Sequence, residues 1–213
     1  MEITVSNICK SYNKKEILKN VSLSCCSGES VCILGSNGSG KSTLLSILAG
    51  VTKYNSGSFD FSNLKVGYVP QNNPLVEELT AYDNLRLWYS KKELTKELES
   101  GFLKTLGIDE YLKKTVSNLS GGMKKRLSIG CAVAGNPSVL LLDEPSAALD
   151  LIYKKKLIEF YKDFTKKGGT IILVTHDIQE AKSCDKFFIL HDGILNNFDN
   201  SKDFNTLIDN GYF

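Results

Sequence analysis

The sequence predicts an α/β domain organised around a parallel sheet. Strand-like apolar runs alternate with helical patterns from Gly122 onward, a glycine-rich turn joins the buried run Val31 to Leu34 to a helix, and the composition is that of an ordinary globular chain. Alternation of this kind calls for parallel strands joined by crossover helices. With 213 residues, 42% apolar and 23% charged, 17 Gly and 4 Pro, collagen-like and disordered classes are excluded. The length fits one large domain or a domain carrying an inserted lobe.

The first third reads as strands: alternating apolar positions at Ile3 and Val5, a second stretch from Ile17 to Cys26, and Val31 to Leu34. A helical pattern runs from Lys41 to Ala49, with Gly50 as its C-cap. Short strands are expected near Phe59 and from Val66 to Val69, the latter stopped by Pro70. From Thr80 to about Lys114 the spacing turns helical, through Leu79, Leu85, Leu87 and Trp88 and then Leu94, Leu98, Phe102 and Leu106. This is the candidate inserted lobe. Beyond it come a helix from Gly122 to Ala134, strand Val139 to Leu142, helix Leu151 to Lys166, strand Thr170 to Val174, helix Asp177 to Ser183, strand Lys186 to Leu190 and an Asp192-Gly193 turn. A short helix around Phe204 to Ile208 is expected in the Asn-rich end.

The longest aliphatic runs fall far short of the ~18 apolar residues of a membrane span. The opening Met-Glu-Ile-Thr-Val lacks a secretory pattern, so a cytosolic protein is expected. Twenty-six basic against 24 acidic residues give +2, spread along the chain, and no nucleic-acid partner is expected. Arg86 and Arg126 are the sole arginines, which leaves almost no guanidinium fork for phosphate chemistry. The six cysteines contain no C-x-x-C pair and read as buried thiols; with two histidines, a zinc cage is not expected. Lys154-Lys155-Lys156 reads as a solvated helix face.

Gly35-Ser36-Asn37-Gly38-Ser39-Gly40-Lys41-Ser42 fits G-x-x-x-x-G-K-[ST] at every fixed position. Its glycines let successive backbone N–H groups face phosphate oxygens, and the helix beginning at Lys41 adds its positive end. Lys41 would reach the β- and γ-phosphates, and the Ser42 hydroxyl would ligate Mg²⁺. Asp143-Glu144 closes an apolar strand, where an open α/β sheet binds its ligand. Asp143 can hold Mg²⁺ there and Glu144 can polarise an attacking water. His176, after the next strand, can donate to the γ-phosphate or the water. Gln71, past the strand ending at Pro70, can touch both Mg²⁺ and water.

Leu119-Ser120-Gly121-Gly122-Met123 resembles the LSGGQ signature of the ABC ATPases. With Tyr12, the phosphate loop, Gln71, Asp143-Glu144, Ser146-Ala147-Ala148-Leu149-Asp150 and His176, it is similar to that family's full motif series, in order, from the first strand to about Gly193. The resemblance implies an α/β P-loop NTPase (RecA-like) core with an antiparallel β subdomain and an inserted α-helical lobe. It makes 1–213 a single ATPase domain, with the lobe at about 72–134 including the signature. It implies an ATP-hydrolysing, Mg²⁺-dependent transporter subunit on the cytoplasmic face of the membrane, powering separate transmembrane subunits. A second copy would join head to tail when ATP binds. Tyr12 would stack on adenine; Gly35, Ser36, Asn37, Gly38, Ser39, Gly40, Lys41, Ser42 and Thr43 would hold the nucleotide; and Ser42, Gln71 and Asp143 would serve the metal. Glu144 would be the base, assisted by His176 and Gln71. Ser120, Gly121 and Gly122 would close the partner's site.

Met123 stands where the family has glutamine and Ala148 where glycine is common. Met123 followed by Lys124-Lys125-Arg126 resembles export-type members. A soluble relative acting on DNA repair or the ribosome is the alternative, but it would require a coiled-coil insertion or a second ATPase domain. A GTPase would require an N-K-x-D after the phosphate loop and a D-x-x-G element. Neither is present.

Overall fold

The computed structural model describes residues 2–61 and 63–198. β1 (Glu2–Tyr12) and β2 (Lys15–Cys26) form an antiparallel hairpin. Asn13 and Lys14 turn it with φ of 46° and 70°, the two-residue geometry that follows strand twist. β4 (Ser56–Phe59) pairs with the other edge of β1, giving the order β2-β1-β4. Ile3, Val5, Ile8, Val21 and Leu23 face inward from this sheet and pack with helix α1 (Lys41–Leu48).

The second sheet has the order β5-β6-β7-β3-β8-β9. Five strands are parallel: β3 (Ser30–Leu34), β5 (Val66–Val69), β6 (Val139–Asp143), β7 (Thr170–Thr175) and β8 (Lys186–His191). β9 (Ile194–Phe198) returns antiparallel after the Asp192-Gly193 turn. The sequence reading omits this strand, because an edge strand with Asn196 and Asn197 at its centre has little apolar alternation to reveal it. The helix expected at Phe204 to Ile208 lies outside the described residues.

β3, β6 and β7 are buried along their whole lengths. The strand period of two then divides their side chains between two cores. Val31, Ile33, Leu141, Ile172 and Val174 pack toward α1 and the antiparallel sheet. Cys32, Leu34, Leu140, Leu142, Ile171 and Leu173 face the opposite core with α5 (Gly121–Ala132), α6 (Leu151–Lys166) and the helical segment before them. Of the thiols, Cys25, Cys32 and Cys184 are buried, whereas Cys26 is exposed and Cys9 and Cys131 are intermediate. The reading of the cysteines as buried thiols holds for these three and is corrected at Cys26, which ends an exposed face of β2.

The helical segment is built from short pieces: α2 (Ala81–Arg86), α3 (Lys91–Ser100), α4 (Phe102–Thr105) and 3₁₀ turns at Ile108–Tyr111 and Val116–Asn118. Thr80 caps α2, and Ser90 with Glu93 forms a reciprocal capping box on α3. These caps break the apolar run that the spacing suggests is continuous. Leu87 and Trp88, counted in that run, are 60% and 64% exposed, since the chain bends after α2 and sends Tyr89 inward instead. The Tyr89 hydroxyl donates to the Gly130 carbonyl at 2.8 Å. The helix expected over Asp177 to Ser183 is a single turn, α7 (Ile178–Ala181). Lys154 and Lys156 also depart from a purely solvated face: Lys154 pairs with Asp177 at 2.6 Å, and Lys156 lies over the Tyr153 ring.

Both arginines are structural. Arg86 donates to the Tyr89 carbonyl. Arg126 donates to the Leu106 carbonyl at 2.7 Å, with its guanidinium 3.8 Å from the Tyr153 ring centre and 5.2 Å from that of Tyr111. A lysine has neither the plane nor the fork for this position. Arg126→Lys should destabilise the fold by roughly 1–2 kcal/mol, seen as a fall in Tm of about 2–8 °C by calorimetry; an unchanged Tm would remove Arg126 from the packing argument.

Candidate functional site

Polar side chains collect where the buried strands end. β3 runs into the glycine-rich loop, where Gly38 (φ 83°) and Gly40 (φ 108°) take conformations that side chains resist. Gly40 leads into α1, so this helix points its N-terminal N–H groups at the loop. Lys41 folds back over the loop, its Nζ donating to the Gly35 carbonyl at 2.6 Å and the Ser36 carbonyl at 3.0 Å. Burial holds its pKa below the usual lysine value, opposed by Glu144 and Asp143.

At the end of β6, Asp143 is 1% exposed and Glu144 7%. Burial raises the Asp143 pKa, a hydrogen bond from Ser42 opposes it, and Glu144 raises it further. Asp143 Oδ1 is buried without a hydrogen-bond partner among the described residues, and so is Ser39 Oγ. A divalent cation suits this donor set: an orphaned carboxylate oxygen beside a serine hydroxyl and a neutral amide, all oxygen ligands. Glu144 has φ 49°, a left-handed conformation that costs a non-glycine residue about 1–3 kcal/mol. Its N–H still donates to the Val174 carbonyl at 3.0 Å, so the chain turns sharply without leaving β7.

A cavity of about 340 Å³ opens here, lined by Tyr12, Ile17, Asn37, Gly38, Gly40, Lys41, Ser42, Thr43, Gln71, Asp143 and Glu144. The fold therefore brings together the phosphate loop, Tyr12 from the β hairpin, and the acidic strand end. Gly35, Ser36 and Ser39 form the loop behind it. His176 joins through Glu144, its Nδ1 lying 2.9 Å from Glu144 Oε2. Ser120, Gly121 and Gly122 are not among the lining residues.

Ser120 caps α5, accepting from the Met123 N–H at 3.3 Å. A hydroxyl that accepts in this way keeps its own proton to donate. Met123 packs its side chain against the core, and its carbonyl accepts the Tyr111 hydroxyl at 3.2 Å. A Cβ on Gly122 would sit 2.7 Å from the Ala148 carbonyl, so the signature glycine is required inside one copy by the neighbouring segment.

Three residues in this region escape sequence reasoning. Lys125, buried, donates to the carbonyls of Pro70 and Gln71 at 3.3 Å each and of Asp143 at 3.4 Å. Its only sequence signal is membership of the basic run after the signature. Thr175 places its hydroxyl 3.5 Å from Glu144 Oε2. Glu180, on α7, is buried and bonded to Ser146 and Tyr161.

A family model for ABC transporters matches residues 18–147. The linearmycin resistance ATP-binding protein LnrL of Bacillus subtilis is 34% identical over 207 residues, covering 90% of this chain and 67% of the relative. The methionine import ATP-binding protein MetN of Clostridioides difficile is 37% identical over 213 residues, covering 90% and 66%. The chain thus spans about two thirds of the length of both relatives. The dimeric structure of MJ0796, a bacterial ABC transporter cassette, matches with a TM-score of 0.83 and 30% identity, covering 95% of this chain and all of that one. A second MJ0796 structure, a post-hydrolysis state bound to ADP and Pi, gives 0.82 at 29% identity, covering 96% and 100%.

Ala148 has φ 62°, which accounts in backbone terms for a position where the resembling family favours glycine. Ala148→Gly should stabilise the protein by about 0.4–1 kcal/mol, measured by urea denaturation. A loss of stability would show that the alanine methyl contributes more packing than its conformation costs.

Proposed function

Because the chain belongs to the ABC transporter family of ATPases, we propose that it is the ATP-hydrolysing subunit of a transporter, acting as a pair of copies on separate transmembrane subunits. One observation carries this reading: the phosphate loop and Asp143-Glu144 share one cavity, while the signature at Ser120 to Gly122 lies off it. A second copy, turned head to tail, supplies what each site lacks. Residues 1–213 then act as one ATPase domain, with the helical lobe at about 72–134 carrying the signature.

ATP enters with its phosphates on the N–H groups of Gly38 to Thr43 and the α1 N-terminus, and its adenine on Tyr12. Ser42, Gln71 and Asp143 would hold Mg²⁺, which would supply neutralisation of the phosphate charge. Lys41 leaves its loop carbonyls for the terminal phosphate. Glu144 takes the proton of the attacking water as general base, oriented by His176 on its Oε2. Neither arginine is free for this chemistry, since both are committed to the fold. Oriented backbone dipoles, Lys41 and the partner's signature helix stabilise the developing charge instead.

Coupling runs through the lobe, with Leu87 and Trp88 providing exposed apolar side chains for the transmembrane subunits. Among the described residues no helix is long and apolar enough to cross a membrane. Partners of that kind would hold this subunit at the cytoplasmic face. The export-type pattern at Met123 points to outward transport. Overall identity does not choose a direction, because a resistance protein and an import protein match similarly well.

Glu144→Gln should leave ATP binding within about twofold while lowering hydrolysis on the order of 100-fold or more. It should also yield an ATP-dependent dimer by size-exclusion chromatography with light scattering. Hydrolysis at the parental rate in this variant would overturn the assignment of the base.

A further inference from the structure

Glu180 is a carboxylate 3% exposed, in a protein whose surface has ample room for charge. Burying such a group costs several kcal/mol unless its oxygens are satisfied. Here each oxygen is satisfied by a hydroxyl, one from the segment after β6 and one from α6. Ser146 Oγ donates to Oε2 at 2.8 Å and Tyr161 Oη donates to Oε1 at 2.9 Å. The backbone beneath is held as well. Asp177 Oδ1 accepts the N–H groups of Gln179 at 2.9 Å and Glu180 at 3.2 Å, and the Thr175 hydroxyl accepts the Asp177 N–H at 3.0 Å.

Glu180 and its partner Ser146 flank the catalytic groups. Ser146 lies two residues after Glu144, and Glu180 lies on α7, just past His176. The Thr175 hydroxyl, at the end of β7, sits 3.5 Å from Glu144 Oε2. The left-handed turn at Glu144 releases the chain from β6, so something must fix where the segment after it goes. That segment also ends on Ala148, whose carbonyl lies against Gly122 of the signature. A hydrocarbon side chain could fill the space of Glu180, but it could not hold the two hydroxyls in one arrangement.

We propose that Glu180 is a positioning residue for hydrolysis: it ties the segment after Glu144 to α7, the turn that directly follows His176, so that base and imidazole keep one geometry. The proposal rests on the ATPase reading above. It places the role of Glu180 in turnover and leaves nucleotide affinity to the phosphate loop. Tyr161 anchors the far oxygen to α6 and touches neither catalytic segment, so it separates positioning from general support.

The test is steady-state ATP hydrolysis by the full chain carrying Glu180→Gln, Ser146→Ala, both changes, or Tyr161→Phe, with ATP affinity and Tm measured alongside. Glu180→Gln and Ser146→Ala should each lower kcat, the former on the order of tenfold, with KM for ATP within about twofold. The double variant should be no slower than Glu180→Gln alone, because both changes break one link. Tyr161→Phe should lower Tm while keeping kcat within about twofold. Parental kcat in both Glu180→Gln and Ser146→Ala would overturn the positioning role, as would a kcat loss in Tyr161→Phe equal to that in Ser146→Ala. If Glu180→Gln does not fold, Ser146→Ala decides by the same kcat criterion. A parental protein that binds ATP without hydrolysing it would instead overturn the ATPase reading.

Discussion

β3, β6 and β7 are buried on both faces, so charged side chains can leave the interior only where these strands end. Everything chemical in this protein follows from that constraint. The parallel arrangement aligns the three carboxyl ends, placing the phosphate loop, Asp143-Glu144 and Thr175-His176 side by side. Hydrophobic burial of the strands, at roughly 1.5–3 kcal/mol per large aliphatic side chain, thus supports an edge where desolvated carboxylates and an ammonium sit together. The same burial lowers the Lys41 pKa and raises that of Asp143, because desolvation disfavours the charged form of each.

In the proposed reading, recognition of phosphate depends on backbone and lysine. The scarcity of arginine is visible in the composition, but its meaning changes once the two guanidinium groups are located. Arg126 is sandwiched between Tyr111 and Tyr153, and Arg86 holds the bend after α2. They pack within the helical segment, which in the proposed reading leaves the loop N–H groups, the α1 N-terminus and Lys41 to supply the positive potential.

Lobe and core are joined by polar ties at the base of the signature helix. Lys125 bridges the carbonyls of Pro70, Gln71 and Asp143, and Lys124 pairs with Glu77 at 2.7 Å. These contacts link the start of α5 to the Gln71 segment and to the end of β6. Met123, a departure from the resembling family's glutamine, turns into the core, and the cap at Ser120 and the helix N-terminus remain in place. The exposed pair Leu87 and Trp88 lies on this same module, reached from the site through α2 and Tyr89.

The sequence by itself determined what short-range chemistry can encode. The phosphate loop was legible because its conformation depends on glycines within one contiguous stretch, and the parallel sheet because buried strands must be continuously apolar. The α6 boundaries, Leu151 to Lys166, were legible from the helical pattern between two apolar strands. Tertiary structure alone decided the rest. β9 and the bend at Leu87 depend on what lies beside them, and Lys125 and Glu180 act on partners 18 to 55 positions away. The Ala148 carbonyl makes Gly122 obligatory, a requirement that neither segment carries alone. A local motif specifies which groups are present, whereas their distance, burial and shared protons arise only when the strands bring distant segments to one edge.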